Sequence, residues 1–135
     1  MTVRLIRQKR LTSDDDPLEL SVVVDESALQ RQIGGPEVMR DQLDHMALVA
    51  ELPTVTLQVL PYSSGPHAAM TSGFTLLSFP QPNDPQLLFI EYVTGSVHIE
   101  NAEELRRARL IFDQLRAQAL GPSESIELIS ELARR

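Results

Sequence analysis

The chain has 135 residues, of which 42% are hydrophobic and 23% charged, enough for one hydrophobic core and too apolar for wholesale disorder. It has no cysteine, which excludes disulfides, thiol catalysis and thiolate metal sites, and no apolar run near the ~18 residues of a membrane span, so a soluble cytoplasmic protein is expected. The net charge of -7 is unevenly spread, because from Thr12 onward only eight cations face all nineteen acids, and a body that acidic repels phosphate backbones; no direct nucleic-acid binding by this chain is expected.

The remaining cations open the chain. Arg4, Arg7, Lys9 and Arg10 lie among Val3, Leu5 and Ile6 at helical spacing, and residues 1–11 read as a basic helix or arm. Residues 12–135 read as a single α+β domain. After the polar break from Thr12 to Pro17, Leu20, Val22 and Val24 alternate with Glu19, Ser21 and Val23, predicting a strand over 18–24. Ser27 with Gln30 three residues on fits a capping box. Gly34 and Gly35 end that short turn, and Pro36 starts a helix whose Met39, Leu43, Met46 and Ala50 step by four, three and four, as one buried stripe requires, as far as Leu52 and Pro53.

Val55, Leu57 and Val59 alternate with Thr56 and Gln58, which predicts a second strand over 54–60. Residues 62–72 form the longest stretch without a periodic pattern, and a loop of that length in a small domain is mobile or functional. Residues 73–79 and 86–93 read as strands joined by a turn holding Pro80, Pro82 and Pro85, and Thr94-Gly95 leads into a short strand over 97–99. Asn101 with Glu104 caps a long helix carrying Leu105, Ala108, Phe112, Leu115 and Ala119 inward as far as Leu120. Gly121-Pro122 breaks it, and Ser123 opens a last helix with Ile126, Ile129 and Leu132 or Ala133 inward. The order predicts a single mixed β-sheet: strand, helix, strand with the two strands parallel, then an antiparallel meander, with a C-terminal helix pair packed on one face.

Chemistry-bearing residues are few. His45, His67 and His98 show no spacing that places two metal ligands on one face, and neither a metal site nor a cofactor is expected. Glu91 interrupts the apolar run from Leu87 to Val93, beside Tyr92, and a half-buried carboxylate must be paired or neutralised. It is either a salt-bridged structural carboxylate or an anchor for a basic ligand group. Glu26, just past the first strand, is its natural companion if a cleft opens at the strand ends, and His67 in the long loop is a further ligand candidate. These four residues, Glu26, His67, Glu91 and Tyr92, are the ligand or partner candidates. No nucleophile elbow, phosphate-binding loop, dinucleotide fingerprint or helix-turn-helix pattern occurs, and no catalytic residue is assigned. The alternative to a binding domain is a small carboxylate-dependent hydrolase or transferase, which requires Glu26 and Glu91, with a histidine, to converge in one cleft.

A set of short segments recurs in a familiar order. Arg7-Gln8-Lys9-Arg10-Leu11, Val24-Asp25-Glu26-Ser27-Ala28-Leu29, Gly34-Gly35-Pro36-Glu37-Val38-Met39, Gln42-Leu43, Thr56-Leu57-Gln58-Val59-Leu60-Pro61, Gly73-Phe74, Glu91, Phe112-Asp113-Gln114-Leu115 and Ala119-Leu120 are collinear over nearly the whole chain. Together they resemble the C-terminal domain of unknown function found in actinobacterial Xre-type helix-turn-helix regulators, often called antitoxin-like. The resemblance implies a regulatory domain, a sensor or protein-interaction module of a transcription regulator, that binds a small ligand or a partner protein. It further implies a helix-turn-helix DNA-binding domain normally in the same polypeptide and a small partner protein encoded alongside. Self-association into a homodimer belongs to the same expectation. Glu26 and Glu91 match motif positions, and no catalytic role is carried over to them.

Overall fold

The computed structural model describes residues 18–30, 34–62, 74–78, 86–92 and 94–134. The basic segment 1–11, most of the 62–72 loop and the proline-rich turn lie outside the described residues. Five strands and four helices follow in the order β1 (Leu20–Asp25), α1 (Glu26–Gln30), α2 (Pro36–Val49), β2 (Val55–Leu60), β3 (Thr75–Leu77), β4 (Leu87–Tyr92), β5 (Gly95–Ile99), α3 (Ala102–Gln118) and α4 (Pro122–Arg134). The class is α+β. The chain divides into two compact units, residues 1–63 with 119–135, and residues 64–118.

In the first unit β1 and β2 run parallel, Leu20 opposite Val55 through Asp25 opposite Leu60, joined through α1 and α2. Parallel neighbours require such a crossover, because a tight turn only reverses the chain. The α2 stripe forms as its spacing predicts: Leu43 is buried, and Met39, Met46 and Ala50 pack against the core. Leu57 and Val59 from β2 meet Ile129 and Ala133 from α4, with Leu29 of α1 completing the buried cluster. Ile129 and Val59 have no exposed surface, so the centre of this core is the contact of α4 with β2.

In the second unit β3, β4 and β5 form an antiparallel meander, with Leu76 opposite Leu88 and Phe89 opposite His98. Helix α3 packs on β3 and β4 and buries Ala108 and Leu115. Its N-terminus is capped by the Asn101 side chain, whose Oδ1 accepts hydrogen bonds from the Glu103 and Glu104 amides at 3.0 and 3.1 Å. Glu103 and Glu104 in the first turn and Arg116 in the last complement the helix dipole.

Two features depart from the sequence reading. Among the described residues the strands form a two-stranded and a three-stranded sheet in place of one mixed sheet. The cause is visible at the outer edge of β2: the Leu120 amide donates to the Val59 carbonyl at 2.9 Å, and the Val59 amide donates to Ser125 Oγ at 2.8 Å. The junction before α4 thus takes ladder groups that another strand would use. The C-terminal helices are divided between the units: within the second α3 packs on the meander, and within the first α4 packs on β2 and α2. Phe112, expected in the core, is half-buried with the Arg116 guanidinium 5.8 Å from its ring centroid.

Candidate functional site

The carboxyl ends of β1 and β2 bring the first candidate residue into view. Asp25 ends β1 and its Oδ1 accepts the Ser27 amide hydrogen bond at 2.9 Å, so the cap of α1 is Asp25 rather than Ser27. A side-chain oxygen two residues ahead of a free amide makes that turn without help from the rest of the fold. Glu26 follows as the first residue of α1. Its Oε2 accepts from Gln30 Nε2 at 2.8 Å and its Oε1 from the Tyr62 amide at 3.1 Å. One carboxylate therefore ties the exit of β2 to the start of α1, and both of its oxygens serve the fold.

The other candidates fall in the second unit. Glu91 lies on β4 opposite Ser96, and Tyr92 lies opposite Gly95, next to the turn into β5. His67 lies outside the described residues. His98 is exposed on β5, where its ring tilts against Phe89 of β4 at 4.9 Å between centroids and 50° between planes. That is an aromatic cross-strand pair of the kind that stabilises hairpins. His45 is exposed on α2. Among the described residues no three histidine or carboxylate groups gather at a distance that would hold a metal ion.

A different feature of the first unit has the shape of a binding site. A groove of about 220 Å³ opens between α1, α2 and α4. Leu29, Met39, Leu43 and Leu132 supply apolar walls, and the exposed Gln30 and Arg40 supply the polar lining. Helix α1 has five residues and is roughly 8 Å long, and the 14-residue α2 extends about 21 Å. The start of α2 is set by Gly34 and Gly35, whose φ angles of 84° and 97° lie where side-chain-bearing residues are strained.

Sequence reasoning missed two buried polar groups, Gln58 and Ser125. Gln58 Nε2 donates to the Leu120 carbonyl at 3.1 Å, and the Ser125 hydroxyl serves the Val59 amide. The available signal was Ser125 itself, spaced four residues from Ile129 and eight from Ala133, in register with the inward stripe of α4.

The model of a family described as a domain of unknown function (DUF5753) matches residues 1–131, nearly the entire chain. The chain belongs to this family. The motif order suggested a domain of unknown function, and in this DUF5753 chain the matched region includes Glu26, Glu91 and six of the eight residues lining the groove, with Leu132 and Ala133 just beyond it. No curated protein and no solved structure matches the chain. No helix among the described residues is long and apolar enough to cross a membrane.

Proposed function

We propose that this DUF5753 chain is a non-catalytic regulatory domain of a cytoplasmic, actinobacterial Xre-type transcription regulator, acting by binding a small partner protein or ligand. The collinear motifs, through the resemblance they carry, support the regulator context. The observation that carries the binding reading is the fate of Glu26. Glu26, one of the two carboxylates that the enzyme reading requires, spends both oxygens on the Gln30 side-chain amide and the Tyr62 backbone amide, while the groove between α1, α2 and α4 offers apolar walls and an arginine to something outside the chain. The acidic body fits the same reading, since it leaves DNA contact to a separate helix-turn-helix domain.

Calorimetric titration of the purified chain with the small protein encoded beside its gene tests this. Saturable binding with micromolar or tighter affinity, unchanged in Glu26→Gln, is the expected result. Absence of binding, together with turnover of an ester or phosphoester that Glu26→Gln abolishes, would replace the regulatory reading by the carboxylate-dependent enzyme.

A further inference from the structure

We infer that the groove between α1, α2 and α4 is a site for a small amphipathic carboxylate, its aliphatic tail lying along Leu29, Met39, Leu43 and Leu132 and its head group meeting the Arg40 guanidinium. This deepens the regulatory reading by naming the chemical class of an effector, and rests on that reading only for the consequence of binding.

Size sets the first limit. A cavity of about 150 Å³ accommodates benzene, so about 220 Å³ holds roughly six to nine non-hydrogen atoms. That is too little for a nucleotide or a folded peptide segment and suits a short aliphatic chain. Polarity sets the second. Leu29, Met39, Leu43 and Leu132 make the apolar part of the lining, against which an alkyl tail is removed from water. Charge decides the head group. Among the described residues Arg40 is the one ionisable group lining the groove, and no carboxylate pairs with it. A guanidinium presents a planar fork of N–H donors, which a carboxylate matches with two parallel hydrogen bonds. Gln30, the other polar lining residue, gives one amide N–H to Glu26 and is uncharged, so the charge complement of a carboxylate is Arg40. With Arg40 removed, the nearby charges on α2 are Glu37, Asp41 and Asp44, all repulsive to an anion.

Hexanoate is the probe, followed by amide chemical shifts of the full chain in two-dimensional spectra, with hexanol, hexylammonium and acetate in parallel. Saturable shifts centred on Leu29, Gln30, Met39, Arg40 and Leu132 are expected, with a dissociation constant on the order of millimolar. Hexanol should bind several-fold more weakly, and hexylammonium and acetate should not saturate. Arg40→Gln, a change at an exposed position, should weaken hexanoate about tenfold and leave hexanol unaffected. Equal binding of hexanol and hexanoate, shifts centred elsewhere, no saturation, or undiminished affinity in Arg40→Gln would each overturn the proposal. Partner titration is a separate measurement, so failure of hexanoate to bind leaves the regulatory reading to be judged on its own.

Discussion

Replacing Ser125 by alanine removes a fully buried hydroxyl and leaves the Val59 amide, on a residue with no exposed surface, without its 2.8 Å acceptor. An orphaned buried N–H costs about 1–3 kcal/mol. The second contact of the hydroxyl adds little, since it reaches the Leu120 carbonyl at 3.4 Å and that carbonyl keeps the Gln58 amide at 3.1 Å. Alanine returns up to roughly 0.5 kcal/mol through better helix propensity. The expected net loss is therefore about 1–2 kcal/mol, which at this chain length lowers Tm by about 3–8 °C. Calorimetric melting gives that figure, and hydrogen exchange locates it: the Val59 amide should exchange about 5–30-fold faster, the factor that corresponds to such a loss. A Tm within a degree of the wild type, with Val59 protection unchanged, would refute the account of how α4 is fastened to β2.

Ile129→Ala should cost about 2–5 kcal/mol because Ile129 is wholly buried, whereas Phe112→Ala should cost only about half the ~3–5 kcal/mol of a fully buried ring; denaturant unfolding that ranks Phe112 above Ile129 would show the core misplaced. Gly35→Ala should cost about 1–3 kcal/mol from backbone strain alone, since φ 97° and ψ 168° are nearly exclusive to glycine while an added Cβ meets nothing within 4 Å, and a variant as stable as the wild type would contradict that. In a gel-shift titration at ~0.15 M salt the chain alone should show no sequence-selective duplex binding, and selective sub-micromolar retention would count against assigning DNA contact to another domain.

The α2 stripe and the Asn101 cap were legible because each depends on residues close in sequence; β2 was legible as a strand, although Leu57, Gln58, Val59 and Leu60 are all buried and its alternation does not mark one buried face. The two-sheet arrangement was not, since it turns on Leu120 and Ser125 occupying the edge of β2, a contact between segments about sixty residues apart. The apolar stripe of α3 is the longest in the sequence, yet helix length does not decide which stripe is sealed from water. Ile129 is fully covered, while Phe112 is half-open under Arg116. Glu26 was singled out as a charge at a strand end, and the structure places it there. Its partners, Tyr62 and Gln30, are a backbone amide after β2 and a neighbour one turn on, and only the second was readable from spacing. The groove left no sequence mark because α4, at the far end of the chain, supplies part of its lining.

The central claim is that this DUF5753 domain works by binding rather than by catalysis, and the molar mass of its complex tests it most directly. Light scattering on the chain mixed with the small protein encoded beside its gene should give one species heavier than the 15.1 kDa chain by a whole number of partner molecules. Two species eluting at their separate masses, at concentrations well above micromolar, would contradict the claim.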